Sequence, residues 1–483
     1  MSRERAPDEP EPEAQGRWSS FELQAAVALA SLLTPLNSTV VAVGLPAIRE
    51  HFEVGVGAMT LLISIYLVAV AVMQPVSGRF GDAFGSVRVM WVGLVLLIIF
   101  SVASAFAWNF PVLIVTRALQ GVASALVMPN AIALLRKRMP SPRLATAFGT
   151  NGAALSAAAA FGPVVGGGAL LIGDWRLLFL LNVPLSLAAI ALLLRLPADA
   201  GGGRAILRID LPSFGALTFA FASVVVIGSA TRVDNPTLLI VGTALLPLAA
   251  AAYWLRARQG ASVVDLSFFR QGNFRAAAAG QALTNLVMYS FLVAIPLYLA
   301  GVRDVNDQTI SLVLFALSAA MIAISPLGGV LADRAGRQPL VVGGSLVIFA
   351  ATIGLVALFT DPPLVAIVVP LVGVGVGLGI SAAARSSAAL EAWPRSVAGS
   401  VSGTFSMTRY VGSVAGAAMI AALLGANPDE AAFRILFAVL VAFALLNVVA
   451  SLGIRDRRPT EAGIADALRA VPEPIPPAGR PAP

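Results

Sequence analysis

The chain has 483 residues, of which 58% are hydrophobic and 12% are charged, and its formal net charge is +7. So little charged sequence cannot cover a water-soluble globule of this length, which excludes an ordinary soluble protein. Cysteine is absent and His51 is the single histidine. Disulfides, zinc sites and Ser/His/Asp catalysis are therefore excluded together, and we expect neither an enzyme nor a cofactor.

The first predicted segment, residues 1–20, opens with the acidic and proline-rich MSRERAPDEPEPEAQGRW. It lacks the basic start and the short apolar region of a signal peptide. We therefore expect a disordered cytoplasmic tail, and the proline-rich residues 456–483 indicate a second one.

Between the tails, apolar stretches of about 20 residues recur from Phe21 almost to the C-terminus, each long enough to cross the hydrocarbon core as a helix. Short charged or Gly/Pro-containing breaks separate fourteen such stretches. The sequence predicts an all-α integral membrane protein with fourteen transmembrane helices.

Two similar loops indicate an internal repeat. SGRFGDAFGSVR at 77–88 and LGGVLADRAGR at 327–337 lie at matching offsets from Phe21 and Phe274. The match predicts two six-helix bundles, residues 21–196 and 274–455, joined by residues 197–273 with two inserted transmembrane helices. Duplicated halves around a midplane cavity are typical of transporters.

The basic residues alternate between loops. Lys and Arg are concentrated after even-numbered spans, as in RKRMPSPR at 136–143 and ADRAGR at 332–337. Because positive loops stay on the cytoplasmic side, we expect a multi-pass protein of the cytoplasmic membrane with both termini in the cytoplasm. The positive charge thus reflects topology and does not indicate a nucleic-acid partner.

Polar side chains inside the apolar spans are the candidates for a binding site, because their desolvation cost favours positions in the bundle interior. Several follow helical spacing on the first, fourth and ninth spans. The predicted cavity residues are Asn37, Arg117, Gln120, Gln281, Asn285, Tyr289 and Arg409.

Two of these residues are cations without an acid in their own span. A central arginine that faces lipid costs about 3 kcal/mol, so Arg117 and Arg409 must reach water, carbonyl groups or ligand. No Asp or Glu lies near the middle of any predicted span. This distribution predicts a positive cavity that prefers anionic or neutral acceptor-rich ligands. The alternative is that backbone carbonyl groups hold Arg117 as a structural or proton-pathway element, and that Arg409 caps a helix bend.

These motifs resemble those of the major facilitator superfamily. The second loop is similar to the superfamily's loop pattern, and the first loop is a reduced copy. The matching residues of the second copy are Gly329, Asp333, Arg334, Gly336 and Arg337, and those of the first are Gly78, Asp82, Gly85 and Arg88.

RALQG, with Arg117, resembles the superfamily's pattern of the fourth span. FGPVVGGG resembles the antiporter motif through Gly162, Pro163, Gly166 and Gly167. With DWRLLFLLNVP, LNSTVVAVGLP and fourteen spans, the likeness narrows to the drug:proton antiporters of the EmrB/QacA type.

The resemblance implies that the two loops form a cytoplasmic gate in which each Asp faces a helix N-terminus. Because Ala83 and Ser86 replace the superfamily's basic residues, the first gate is expected to be the weaker. Relatives usually carry an aspartate where this chain has Asn37, and an amide does not titrate. The likeness therefore leaves the proton-binding group unassigned.

Three functions remain open at this stage. The first is a secondary active transporter that exports small lipophilic drugs or metabolites by alternating access, with protons as the candidate coupling ion and lipid as its surroundings. The second is a transporter of one anionic or neutral metabolite without proton coupling through the first helix. The third is a receptor or scaffold of the same fold that no longer transports.

Overall fold

The computed structural model describes residues 20–54, 56–140, 143–197, 199, 201, 210–233, 236–259, 262–357, 363–424 and 430–456. The predicted tails, residues 1–20 and 456–483, lie outside the described residues except for Ser20 and Asp456.

Long apolar helices make up most of the described chain. The first half contains Ser20–Val43 (α1), Leu45–Phe52 (α2), Val56–Phe84 (α3), Ser86–Ala105 (α4), Phe110–Arg138 (α5), Leu144–Ile172 (α6), Arg176–Leu180 (α7) and Asn182–Leu193 (α8). Two further helices follow, Leu211–Val233 (α9) and Pro236–Arg258 (α10). The second half contains Gly272–Gly301 (α11), Asp307–Ala335 (α12), Arg337–Ala357 (α13), Leu364–Glu391 (α14), Ala398–Leu424 (α15) and Glu430–Leu452 (α16).

Side-chain caps fix several helix starts. Asn109 accepts a hydrogen bond from the Val112 N–H at 2.9 Å at the start of α5, and Asn306 accepts one from the Thr309 N–H at 2.9 Å at the start of α12. Each amide oxygen satisfies a backbone donor that has no partner within its helix.

In the described part of the chain, twelve helices are long and apolar enough to cross a membrane, or thirteen if the bent helix α6 is one span. The predicted count of fourteen is therefore not confirmed. The remaining predicted span falls on α9, whose apolar stretch Leu211–Ile227 is counted with the shorter helices, below the roughly 20 residues that a span needs.

The halves pack on each other reciprocally. Helix α3 of the first half packs against α15 of the second, and α12 of the second packs against α6 of the first. Within the halves, α1 packs on α6 and α11 packs on α15. Corresponding helices of the two halves thus make corresponding contacts.

The apolar core joins the halves at one end of the molecule. One buried cluster combines Leu135 and Phe148 of the first half with Leu390 and Phe405 of the second. Two other clusters, one containing Trp175 and one containing Phe437, each draw on a single half. The halves are therefore in close apolar contact near the ends of α5 and α14.

The inserted helices lie beside one seam between the halves. Helix α9 packs against both α3 and α15, and α10 packs against α9. At the start of α9, the Asp210 carboxylate lies 2.5 Å from the Arg256 guanidinium. This hydrogen bond is the main reason that the pKa of Asp210 is lowered to about 2. The ion pair ties the two inserted helices together.

Candidate functional site

A cavity of about 680 Å³ lies between the two halves. Helices α1, α3 and α6 of the first half and α11, α12, α14 and α15 of the second contribute side chains to its wall, and α9 contributes Val224 and Val225. Most of the wall is apolar, with a few polar groups between the apolar ones. Its volume and composition match sites that enclose a drug-sized molecule.

Four of the predicted cavity residues line this cavity. Gln281, Asn285 and Tyr289 do so from α11, and Arg409 does so from α15. The Asn285 amide nitrogen donates a hydrogen bond to the Gln281 carbonyl oxygen at 2.8 Å. The polar stripe predicted from helical spacing therefore faces the space between the halves.

The wall also contains Arg385 of α14, which was not predicted as a cavity residue. Its exposed fraction is 1%, and neither Nε nor Nη2 has a hydrogen-bond partner among the residues that the structure describes. Among the described residues, no carboxylate lies within ion-pair distance of Arg385 or Arg409. The cavity therefore borders two guanidinium groups without a paired acid.

The other three predicted cavity residues, Asn37, Arg117 and Gln120, do not contribute to the described wall. Arg117 is fully buried within the first half, where its Nη1 donates to Asn37 Oδ1 at 3.0 Å and to Gln120 Oε1 at 2.9 Å. The Tyr66 ring lines the cavity and lies 4.4 Å from the Arg117 guanidinium. Amide oxygens and a ring thus hold Arg117 behind the wall, and a ligand in the cavity meets Tyr66 first.

The Arg117 network extends across the first half through amides and hydroxyls. Asn37 Oδ1 also accepts a hydrogen bond from the Asn182 amide at 3.3 Å, and the Gln120 amide donates to Ser101 Oγ at 2.8 Å. The long described helices carry Asp and Glu only within three residues of an end. No carboxylate therefore reaches this network from the described helices.

Asp82, near the end of α3, holds the first gate contact. Its carboxylate accepts hydrogen bonds from the Gly399 N–H at 2.8 Å, the Ser400 N–H at 2.6 Å and the Ser400 hydroxyl at 2.7 Å. These donors form the N-terminus of α15, where backbone N–H groups favour an anion. A side chain on Gly78 would collide with the Gly399 carbonyl oxygen, so glycine permits the close approach.

Asp333, near the end of α12, makes the second gate contact with the same geometry. It accepts hydrogen bonds from the Ala145 N–H at 3.0 Å, the Thr146 N–H at 2.8 Å and the Thr146 hydroxyl at 2.6 Å, at the N-terminus of α6. A Cβ added to Gly329 would lie 2.5 Å from the Ala145 carbonyl oxygen. Each half therefore supplies a carboxylate that caps a helix of the other half.

Asp199, in the connecting segment that follows α8, supports the first gate. It accepts hydrogen bonds from the Ser86 and Val87 N–H groups at 2.7 and 2.9 Å, at the N-terminus of α4. Burial alone would raise the pKa of Asp199, but these donors and the Lys137 cation outweigh it and hold the pKa below its usual range. Lys137 lies 3.4 Å from Asp199 and 3.7 Å from Asp82, so it links the two carboxylates.

Asp456 occupies the corresponding place in the second half. It accepts hydrogen bonds from the Arg337 N–H at 2.7 Å and the Gln338 N–H at 3.2 Å, at the N-terminus of α13. The Arg337 side chain forms an ion pair with Glu391 at the end of α14.

The remaining gate residues shape the two loops. Gly85 and Gly336 adopt φ values of 95° and 98°, which side chains rarely tolerate. Arg88 and Arg334 are exposed. We call the end of the molecule that carries both gate contacts the gated end.

The sequence model of the Major Facilitator Superfamily matches residues 27–417 and 277–480. The chain belongs to the major facilitator superfamily. It is accordingly a multi-pass membrane transporter rather than an enzyme.

Several known superfamily proteins are similar to this transporter. YwoD of Bacillus subtilis, an uncharacterized MFS-type transporter, is 29% identical over 86% of this chain and 93% of its own. The tetracenomycin C resistance and export protein of Streptomyces glaucescens is 28% identical over 84% of this chain and 76% of its own. The structure of the proton:xylose symporter XylE bound to 6-bromo-6-deoxy-D-glucose has a TM-score of 0.66 over 89% of this chain and 94% of its own. At 14% identity this last likeness concerns the fold alone.

The predicted antiporter motif of this superfamily member lies where α6 crosses α1. A side chain on Gly162 would collide with Thr39, and one on Gly166 would lie 3.1 Å from the Val40 carbonyl oxygen. Gly167 has no neighbour within 4 Å of such an added Cβ. Helix α6 bends by 42° at Pro163, because proline removes a helical hydrogen bond.

A second glycine pair at the same spacing lies on α15 of the transporter. A side chain on Gly412 would collide with the Ala282 carbonyl oxygen, and one on Gly416 would lie 2.9 Å from the Leu286 carbonyl oxygen. Helix α15 thus approaches α11 as closely as α6 approaches α1. This copy was not predicted, although the spacing of Gly412 and Gly416 repeats that of Gly162 and Gly166.

Proposed function

We propose that this transporter exports small lipophilic molecules, drugs or metabolites, by alternating access, as a fourteen-helix exporter of the EmrB/QacA type. The observation that carries the proposal is the mainly apolar cavity between two halves that are fastened together at the gated end. The similarity to the tetracenomycin C resistance and export protein supports export as the direction of transport.

The loop charges set the proposed orientation. Arg136, Lys137 and Arg138 end α5 at the gated end, and positive loops favour the cytoplasmic side. The gated end would then face the cytoplasm, and the cavity of this conformation would be accessible from the outside. Export requires the opposite conformation as well, in which both gate contacts are broken and the cavity loads from the inside.

The gate contacts give the cycle a defined energetic step. Each carboxylate accepts three hydrogen bonds from the other half, and hydrogen bonds to an ionised group are stronger than neutral ones. A substrate shifts this balance only by binding one conformation more tightly than the other. Because Asn37 is an amide that accepts a hydrogen bond from Arg117, the proposal assigns no proton site to the first helix.

Reconstituted transport tests the proposal directly. The purified protein is placed in liposomes, and fluxes of anionic, neutral and cationic lipophilic dyes are measured with and without an imposed pH gradient. We expect saturable flux above that of protein-free liposomes for at least one dye class. An effect of the gradient would identify protons as the coupling ion. Absence of saturable flux for every class would favour the receptor or scaffold alternative, and flux of one compound without competition by others would favour the single-metabolite alternative.

A further inference from the structure

Arg385 is a buried cation whose hydrogen bonds are incomplete. Its guanidinium borders the cavity, its exposed fraction is 1%, and Nε and Nη2 have no hydrogen-bond partner in the described part of the chain. An unpaired charge removed from water is costly, so it persists in membrane proteins mainly where function requires it. The missing acceptors can come from a ligand in the cavity.

The backbone of α11 brings this guanidinium next to the predicted polar stripe. A Cβ added to Gly280 would lie 3.2 Å from Arg385 Nε and 3.4 Å from Asn447 Oδ1. Glycine at this position therefore leaves the room that the arginine occupies. The next residues along α11, Gln281 and Asn285, line the same cavity.

Arg409 approaches the same stretch of α11 from another helix. Gly412 of α15 packs on the Ala282 carbonyl oxygen. Arg409 lies three residues earlier on α15 and is therefore on the same side of that helix. It also lines the cavity, and no described residue forms a hydrogen bond with its Nε. Helices α14 and α15 thus bring two guanidinium groups to one segment of α11.

The charge around these arginines is uncompensated within the described wall. No Asp or Glu is among the side chains that line the cavity there. Asp82, Asp333 and Glu391 are engaged at the gated end. The described residues of the first half add no cation to the wall, because Arg117 lies behind Tyr66. The positive potential is therefore confined to the second half.

We infer that Arg385 and Arg409 form an anion subsite, so that the transported molecules carry a carboxylate, sulfonate or phosphate group on an apolar body. Guanidinium groups bind such oxyanions through paired N–H donors, and Gln281 and Asn285 offer amide donors beside them. The apolar remainder of the cavity, to which both halves and α9 contribute, encloses the body of the molecule. That these molecules are transported rests on the proposed function, whereas the subsite itself requires only that they bind.

Two dyes with one scaffold and opposite charge test the subsite. Fluorescein is anionic and rhodamine 123 is cationic at neutral pH, and both are xanthenes. Binding of each dye to the purified full chain in nanodiscs of zwitterionic lipid is followed by fluorescence anisotropy. We expect wild-type protein to bind fluorescein at least tenfold more tightly than rhodamine 123. We expect Arg385→Gln and Arg409→Gln each to weaken fluorescein binding at least tenfold without weakening rhodamine 123 binding.

The controls separate a lost site from a lost fold. Arg434→Gln removes an exposed arginine that pairs with Glu430 on α16, and its dye affinities should equal those of wild type. If Arg385→Gln does not give monodisperse protein, Arg385→Lys keeps the charge without the paired donors and should weaken fluorescein binding to an intermediate degree.

The result that overturns the inference is wild-type protein that binds both dyes equally, prefers rhodamine 123 or shows no saturable fluorescein binding. Unchanged fluorescein affinity in both glutamine variants overturns it as well. Flux in liposomes separates the two proposals. Arginine-dependent fluorescein binding without flux of any dye would retain the subsite and reject export. Flux of rhodamine 123 alone would retain export and reject the subsite.

Discussion

Arg117 shows how the first half buries a cation without a carboxylate. Two amide oxygens accept its hydrogen bonds, and the Tyr66 ring covers it on the cavity side. Amides and rings satisfy this guanidinium only partly, since its Nε and Nη2 have no hydrogen-bond partner within the described ranges. Asn37 differs from an aspartate only by an amide nitrogen in place of one carboxylate oxygen, so a single substitution would place an acid beside Arg117.

We expect Asn37→Asp to make transport more dependent on pH and to shift preference towards cationic substrates. The new carboxylate would lie beside Arg117 Nη1, where the asparagine oxygen is 3.0 Å away, and its protonation would change the charge of the network. Flux in liposomes across a pH series measures the effect. Asn37→Ser, which cannot titrate, is the control, and identical pH profiles for the two variants would contradict the prediction.

The two arginines of the cavity differ in how well the sequence reveals them. Arg409 was predicted because no acid lies in its span. Arg385 is harder to identify, because an acid, Glu391, follows six residues later in the sequence. Glu391 pairs instead with Arg337, which comes from a different helix. Sequence distance alone could not show that Arg337 rather than Arg385 pairs with Glu391, because the packing of α13 against α14 decides this choice.

At the scale of elements, the gate loops were predictable but their partners were not. The loop repeat locates Asp82 and Asp333, whereas the N-termini that they cap lie 317 and 188 residues away in sequence. The first gate was expected to be weaker because Ala83 and Ser86 replace basic residues. Asp82 nevertheless accepts the same three kinds of hydrogen bond as Asp333. The substituted positions are not donors to Asp82, and Ser86 donates its N–H to Asp199 instead.

We expect Asp333→Asn to slow turnover while leaving substrate affinity nearly unchanged. The amide keeps the shape of the side chain but loses the charge that favours the N-terminus of α6, and Asp333 does not contribute to the described cavity wall. Turnover is measured in liposomes and affinity by direct titration. Glu430→Gln, the same kind of acid-to-amide change at the exposed start of α16 and outside both gate loops, is the matched control. A loss of binding as large as the loss of turnover would refute this separation of gate from site.

Helix α11 offers a test of the cavity itself. Because the chain has no native cysteine, single cysteines at Gln281, Asn285 and Tyr289 should react with water-soluble thiol reagents and be protected by a bound dye. Leu297 is the control on the same helix, since its side chain is 44% exposed on the outer surface of the protein and should face lipid. Labelling at the three positions no faster than at Leu297 would remove them from the cavity.

For the whole molecule, hydropathy predicts the membrane helices because each apolar stretch must satisfy its own backbone in lipid. The number of spans is less well determined by the same signal. Helix α6 bends at Pro163 and α9 has a short apolar stretch, so both depart from the straight 20-residue span that a hydropathy count assumes. How the halves meet depends on close glycine contacts between distant segments, which hydropathy does not encode.

Fastening the gated end covalently should stop transport if the halves separate there. Thr146 Oγ1 and Asp333 Oδ2 lie 2.6 Å apart across the halves, so cysteines replacing both residues should form a disulfide under mild oxidation. We expect flux to fall below one tenth of that of the same reduced protein and to return with reductant. The single variants Thr146→Cys and Asp333→Cys should not respond to oxidant. Full flux in completely cross-linked protein would mean that the gated end does not open.

The reciprocal arrangement of the two gate carboxylates also limits how the molecule can move. Each carboxylate belongs to one half and each capped helix to the other, so both contacts must break before the halves can separate at the gated end. A single contact would still allow one half to rotate about it relative to the other half. Two separate contacts restrict this rotation. Opening of the gated end therefore requires that both contacts break. After the loss of either carboxylate, the halves could rotate about the one contact that remains.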